Sequence, residues 1–581
     1  MLACPWPCQY DREGRTGEKE FIMASLNILI GGESFREIRE QKCCYVDKTT
    51  FLEEMLAAIP PKVSLVTRPR RFGKTLMMTM LQEFFDIRKD SRDIFEGLAV
   101  SRNVTLCEAW MNKYPVLFLT LKGVEGQDFD SALILFRELA VRLCSDNAYL
   151  AESQKVIRED KTLLRRVMER EATPPELSNI LLVLCRALEA HWGRPAILLI
   201  DEYDVPISHA EQNGYYKEMI GFIRNLLGAA LKTNPSLKFA ILTGCLRIAR
   251  ESIFTGLNNF MCYTVSDAEY ADKFGFTEAV VDKILADAGL TGRKPEFKEW
   301  YDGYRFGTGT EIYCPWDILT HVSKLQNNPE ARPQAYWNNT SGNTIVRTLI
   351  AQSGPETRQK VEDLINGKAI EENLAEDLTY DLVYKNENTI WSMLYLTGYL
   401  TKASSQPDNG STALVIPNKE VRKIFTETIS SWFNEAMKKQ DLSAFAAALW
   451  NGDAEALQNT LTDILYSTIS YHDSAESFYH GFMTGLLHGA GLAISSNREN
   501  GLGRTDIAIV DGRNKRAVII ELKYVKEYED LEARAGEALA QIEEKKYAAG
   551  LPPNIRTVIN YGIAFWKKEC CVKTACRKLT R

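Results

Sequence analysis

The sequence predicts an α/β fold: a mostly parallel sheet covered by helices on both faces, then a helix-rich middle region, then a second, smaller α/β region. Three observations predict it. Strand-like runs of the first half alternate with helical stretches, as crossover connections between parallel strands require. Residues 63–85, VSLVTRPRRFGKTLMMTMLQEFF, read as a buried strand, a polar loop and a helix. Residues 476–547 repeat the alternation as helix, strand, strand and helix.

A chain of 581 residues exceeds one ordinary core, so two or three domains are expected. The divisions read from the sequence are 1–23 (a disordered or spurious extension), 24–270, 271–440 and 441–581. The first 22 residues are polar, unpatterned and without the apolar centre of a secretory signal, and Met23 reads as an alternative start. Hydrophobic content of 45% and charged content of 25% are those of a globular protein. No apolar run approaches the roughly 18–20 residues of a membrane span. The formal charge of −7 excludes a uniformly basic nucleic-acid coat but leaves room for a local basic groove. The thirteen cysteines form no CxxC pair and none lies at zinc-finger spacing from a histidine. That pattern speaks against structural zinc and for reduced thiols in the cytoplasm.

In the first α/β region, strands are expected at 63–67, 114–121, 196–200, 238–243 and 260–265, with helices at 131–144 and 217–231. The loop Arg70-Arg71-Phe72-Gly73-Lys74-Thr75 joins the first strand to a helix, which is the layout of a phosphate-binding P-loop. A helix N-terminus offers unpaired N–H groups and the positive end of its dipole to phosphate. Lys74 can then reach the β- and γ-phosphates of ATP, and the Thr75 hydroxyl can ligate Mg²⁺. Arg68 stands where G-x-x-x-x-G-K-[ST] asks for glycine.

The run AILLIDEYD, 196–204, delivers Asp201 and Glu202 to the carboxyl edge of a buried strand. There Asp201 can hold the magnesium's water shell and Glu202 can polarise an attacking water. The competing reading, a core strand ending in a solvated acidic turn, loses to the P-loop upstream. Asp204 fits a loop or helix-capping role as well as chemistry. Thr243 closes the fourth strand and is the candidate γ-phosphate sensor, against a purely structural role. Arg247 and Arg250 follow, with surface solvation the alternative to phosphate contact.

From about 270 to 470 helices dominate. Residues 391–425 read helix, strand, turn, strand, helix around Pro407-Asp408-Asn409-Gly410, a winged-helix-like order. The turn carries no Lys or Arg, which favours a lid over a DNA reader. The aromatic segments 300–305 and 313–316 read as packing, with no chemistry assigned.

In the last region a helix opens with Glu476, an alternating strand begins near Asp506, and a β-branched strand ends in Glu521-Leu522-Lys523. Period-two alternation puts Glu521 and Lys523 on one face. Asp506 and Glu521 can bind Mg²⁺ through hard oxygen ligands while Lys523 stabilises charge or orients water. A solvated strand edge would explain E-x-K alone. The full order, closed by a helix at 531–547 carrying Gln541, favours a metal-dependent nuclease.

Together these motifs resemble a bacterial family in which an AAA-ATPase-like domain precedes a nuclease domain of the PD-(D/E)XK superfamily. The resemblance rests on Ser34-Phe35 through Tyr45-Val46-Asp47-Lys48-Thr49, on Arg68 through Thr75, on Asp201-Glu202-Tyr203-Asp204 and on Thr243-Gly244. It continues through 300–305, Arg504-Thr505-Asp506 and Glu521-Leu522-Lys523, and spans the chain from about residue 24 onward. Arg at the first Gly position is usual in that family; Thr505 stands where proline is usual. The resemblance implies ATP binding and hydrolysis, a C-terminal restriction-endonuclease-like fold and, by analogy, a part in phage defence or mobile-element conflict.

Two functions follow as expectations. One is an ATPase joined to a Mg²⁺-dependent endo- or exodeoxyribonuclease, with ATP and DNA as partners and no membrane. The other is a nucleotide-dependent switch whose nuclease-like domain binds a partner or nucleic acid without cutting. The intact Asp506, Glu521 and Lys523 favour the first. A homo-oligomer is compatible with either.

Overall fold

The computed structural model describes residues 26–247, 260–337, 346, 355–375, 387–437, 442–467, 475–492, 494–500, 503–525 and 527–579. The N-terminal extension and Arg250 lie outside the described residues. The chain divides into two compact units, 1–341 with 371–421, and 342–370 with 422–581.

The first unit is built on five parallel strands, β1 (Val63–Thr67), β2 (Val116–Thr120), β3 (Ala196–Asp201), β4 (Leu237–Gly244) and β5 (Phe260–Tyr263), in the order β2-β3-β4-β1-β5. β1 and β3 are buried along their whole length, as strands covered on both faces must be. Helix α1 (Lys74–Phe85) lays Met77, Met78, Leu81, Phe84 and Phe85 against Val66, Ile197, Leu199, Phe239 and Ile241. Each such side chain contributes about 1.5–3 kcal/mol on burial. The alternate residues Leu65, Leu198, Ile200 and Leu242 are also buried, and helices α2 (Ile180–Trp192) and α3 (Tyr216–Leu231) contact β3 and β4. One strand, β4, lies between the P-loop strand and the acidic strand, so Thr67, Asp201 and Thr243 end side by side.

Arg68 now has a physical account. Its side chain is fully buried and donates to the carbonyls of Thr67 at 2.8 Å, Tyr263 at 2.9 Å and Tyr270 at 3.2 Å. It turns away from the phosphate loop and ties the edge strand β5 to β1.

The middle of the chain adds the hairpin β6 (Tyr304–Phe306) and β7 (Thr310–Ile312), helix α4 (Pro315–Asn327), and a small sheet of β8 (Ile370–Glu372), β9 (Thr401–Lys402) and β10 (Thr412–Val415). With α5 (Glu387–Leu396) before β9 and α6 (Lys419–Met437) after β10, the order read at 391–425 is present. This segment packs on the phosphate loop. Gly398 sits at φ +89° with Pro69 Cβ only 2.9 Å from where its own Cβ would stand.

The second unit carries a five-stranded sheet, β11 (Ile494–Asn500), β12 (Gly503–Asp511), β13 (Arg516–Tyr524), β14 (Thr557–Trp566) and β15 (Glu569–Lys578), in that order. All neighbours are antiparallel except β13 and β14. The sequence reading puts no strand between the helix opening at Glu476 and the strand at Asp506, but residues 494–500 form strand β11. ISSNREN has one strongly apolar residue, so no alternation announces it. The helix expected at 531–547 stops earlier: α9 runs Leu531–Glu544, Lys546 turns at φ +54°, and Tyr547 opens a 3₁₀ turn. Helices α7 (Ala454–Ser467) and α8 (Ala475–Gly489) cover the face bearing Ile507, Ile509, Ile520 and Leu522, while α9 covers the face bearing Ala517 and Ile519.

Candidate functional site

In the first unit the phosphate loop bends through two left-handed residues, Arg71 at φ +71° and Gly73 at φ +87°, and Gly73 caps α1. Glycine takes that conformation without strain; Arg71 adopts it at a cost. Lys74 is buried and donates to the carbonyls of Arg68 and Pro69, both at 3.2 Å, with Glu202 Oε1 at 3.5 Å. Glu202 reaches it because its own backbone is left-handed at φ +53°. Burial opposes the Lys74 charge, but Cys245, Glu202, Asp201 and Asp204 around it outweigh that and hold the ammonium well above its ordinary value.

Asp201 is fully buried, and its two oxygens accept from Thr75 Oγ1 at 2.8 Å and Thr243 Oγ1 at 2.5 Å. The loop threonine, the acid and the strand-end threonine therefore form one hydrogen-bonded line. Burial and the charge of Glu202 push the Asp201 carboxyl up. Asp204 accepts from the N–H groups of Cys245 at 2.9 Å and Leu246 at 3.0 Å, and the Tyr203 hydroxyl donates to Leu246 O at 2.7 Å. The third and fourth letters of Asp-Glu-Tyr-Asp thus clamp the chain just past Thr243. The Phe72 ring is buried against Tyr304 and Phe306. Arg70 lines the loop, its charge favoured over burial by Cys245, Glu202 and Asp204. A cavity of about 420 Å³ opens beside Lys74, Thr75 and Glu202, within the range of small-molecule sites.

In the second unit the antiparallel pairing of β12 with β13 sets Asp506 one step beyond the Ile507–Ile520 pair, level with Glu521. Asp506 Oδ2 accepts from the Leu522 N–H at 2.9 Å. Glu521 is 2% exposed, its Oε1 lies 3.5 Å from Lys523 Nζ and accepts from Gln541 Nε2, and its Oε2 is buried with no hydrogen-bond partner. Burial first, and then the charge of Asp506, push the Glu521 carboxyl up to about 7, against the opposing pull of Lys523. A buried carboxylate with one orphaned oxygen, level with the half-buried Asp506 and beside an ammonium, is a donor set suited to a hard divalent cation.

The sequence alone is matched by two family models, one described as a predicted AAA-ATPase over residues 29–254 and one as the PD-(D/E)XK nuclease superfamily over residues 474–575. The chain carries an AAA-ATPase-like domain and a PD-(D/E)XK nuclease domain. An "Uncharacterized protein in vnfD 5'region" of Azotobacter chroococcum mcd 1 is 25% identical over 546 residues, which is 90% of this chain and 94% of that protein.

The structure therefore brings Lys74, Thr75, Asp201, Glu202 and Thr243 together in the ATPase-like domain, and Asp506, Glu521, Lys523 and Gln541 together in the nuclease domain. Glu476 lies in the first turn of α8, and its side chain is outside the described residues. Among the described residues no group of three or more His, Cys, Asp or Glu is placed to hold a metal, so Asp506 and Glu521 stand as a pair. The sequence reading missed Cys245, whose Sγ accepts from Lys74 Nζ at 3.7 Å, and Tyr547, whose hydroxyl accepts from Gln541 Nε2 at 3.3 Å. It also missed His480, whose Nε2 lies 3.1 Å from Asp506 O. Spacing could have flagged His480, one helical turn beyond Glu476. Nothing local could have flagged Cys245.

Proposed function

We propose that the protein binds and hydrolyses ATP in its first unit and uses that cycle to control a Mg²⁺-dependent deoxyribonuclease in its second. The observation that carries the nuclease half is the orphaned Oε2 of Glu521 beside Asp506 and Lys523: an acceptor left without a donor in a buried site is costly unless a cation completes it. Mg²⁺ bound there would polarise the phosphodiester and lower the pKa of a bound water. Glu521 and Asp506 would hold it, Gln541 would fix the Glu521 carboxylate, and Lys523 would face the developing negative charge.

In the first unit, Lys74 trades its contacts with Arg68 O, Pro69 O and Glu202 for phosphate oxygens. Glu202, released from that ion pair, is free to orient the attacking water. Asp201 and Thr75 would hold Mg²⁺, which would screen the phosphate charge, and Thr243 would report the γ-phosphate through its hydrogen bond to Asp201. A cytoplasmic setting accords with the cysteines, because all eleven described ones are free thiols. Among the described residues no helix is long and apolar enough to cross a membrane.

ATP turnover tests the first half. Lys74→Ala should abolish or severely weaken ATP binding, whereas Glu202→Gln should bind ATP and turn it over about 10²–10⁴-fold more slowly. Wild-type turnover in both variants would sink the assignment. A part in phage defence rests on the resemblance alone. Plating efficiency of phage on cells expressing the wild type or Asp506→Asn tests it, and equal plating on both contradicts it.

A further inference from the structure

The cavity beside Lys74 continues past the phosphate loop into an apolar recess walled by Ile28, Tyr45, Val46, Phe276, Trp316 and Leu319. A triphosphate has no use for such walls. Trp316, second residue of α4, is the odd member. Its indole Nε1 is buried with no hydrogen-bond partner, although a buried indole N–H ordinarily finds one. Its ring face is covered by the Arg71 guanidinium, whose Cζ lies 4.0 Å from the ring centroid. Arg71 belongs to the phosphate loop, where its backbone is left-handed at φ +71°. A residue placed to meet phosphate thus rests on an aromatic ring at stacking distance.

We propose that Trp316 is the base-reading residue of the nucleotide site and that Arg71 and a purine base alternate on its face. With the pocket empty, Arg71 covers the ring by a cation–π contact. When a purine nucleoside triphosphate enters, the phosphates draw Arg71 off the ring. The base takes its place on the indole face, and Nε1–H, which points out of the ring edge in the plane of the indole, donates to a ribose oxygen of the same nucleotide. The bicyclic indole matches a bicyclic base, and the apolar walls exclude water from the stack. The recess then serves selection of the base, and the Arg71 exchange makes base and phosphate binding cooperative. This rests on the nucleotide reading of the first unit and names the group that gives it base specificity.

Calorimetric titration of the full chain with ATP and, separately, with inorganic tripolyphosphate tests it. Stacking on an aromatic is worth about 1–3 kcal/mol per base, so Trp316→Ala should weaken ATP roughly 5- to 150-fold with no loss of tripolyphosphate affinity, since Arg71 is then free of the ring. Trp316→Phe, which keeps a ring but no donor, should lose part of the ATP affinity and none of the tripolyphosphate affinity. Saturating tripolyphosphate should tighten adenosine binding in the wild type and fail to do so in Arg71→Ala. Equal losses for both ligands in Trp316→Phe, or no loss of ATP affinity in either variant, would overturn the proposal and leave the nucleotide reading standing. If the wild type binds neither ATP nor tripolyphosphate, the nucleotide reading fails and takes this proposal with it.

Discussion

Asp204 spends its carboxylate on two backbone N–H groups 41 and 42 positions away, those of Cys245 and Leu246. A sequence shows the letter and not the partner, which is why capping and chemistry read equally well there. Gly244 completes the clamp, since a Cβ on it would come within 2.6 Å of Asp204 Oδ1 and 2.7 Å of the Tyr203 ring. Asp204→Ala leaves two N–H groups unpaired at about 1–3 kcal/mol each. It should lower Tm and slow ATP turnover by loosening Thr243, whereas Asp204→Asn, which keeps an acceptor, should fall nearer the wild type; identical behaviour of the two variants would refute the clamp. A second pair of residues sets a pH dependence. Asp317 and Glu420 are buried carboxyls that interact with each other, and Glu420 Oε1 accepts the Trp337 N–H at 2.8 Å. Burial pushes both carboxyls up, and the Asp317 charge pushes Glu420 further. Each binds its proton more tightly folded than unfolded, so the stabilisation is complete below the ordinary carboxylate range near pH 4 and is lost as pH rises through the raised folded values. Tm should therefore fall with rising pH from about 4 upward, and Asp317→Asn should flatten that fall. An unchanged slope in the variant would show that the pair shares no proton.

Helix α9 lies directly on strand β14, and Gly562 is the reason it can. A Cβ there would stand 2.2 Å from Ala535 O and 2.4 Å from Leu539 N. The same helix carries Gln541 to Glu521, so the helix-to-sheet distance sets that contact. Gly562→Ala should force α9 outward, cost about 1–3 kcal/mol of stability by overpacking, and weaken Mn²⁺ binding; a variant that melts lower yet binds Mn²⁺ normally would separate the packing from the site. Elements with strong periodicity were legible in the sequence. β12 alternates, β13 is a β-branched run, β1 and β3 are continuous apolar runs, and 391–425 carries its turn residues. Elements whose form comes from their neighbours were not legible. β11 is polar and gains strand form by pairing with β12, and the C-terminal end of α9 is set by the left-handed turn at Lys546. The acidic and basic site residues were readable because they fall in short local patterns, Gly73-Lys74-Thr75 at a helix start, Asp201 at a strand end and Glu521-Leu522-Lys523 on one strand. The Tyr547 and Cys245 contacts depend on tertiary packing and were not.

At the scale of the molecule, the two candidate sites lie in different units, one around a phosphate loop and one around a pair of carboxylates. With a formal charge of −7, the chain as a whole does not attract DNA, so the proposed nuclease function requires local charge and bound cations at the second unit. Folding around two like carboxylates also predicts a thermal signature: Mg²⁺ or Mn²⁺ should raise the Tm of the wild type by binding only the folded site, and should not do so in Asp506→Asn. The central claim is that these two sites are those of an ATPase and a nuclease. Its most direct test is cleavage of linear, circular and single-stranded DNA in Mg²⁺ or Mn²⁺, with and without ATP, by the wild type and Asp506→Asn. The account predicts metal-dependent cleavage by the wild type, and none by Asp506→Asn at unchanged ATP binding. Cleavage that survives in Asp506→Asn, or a wild type that cuts none of the three substrates with either metal, would contradict it and leave the nucleotide-dependent switch in its place.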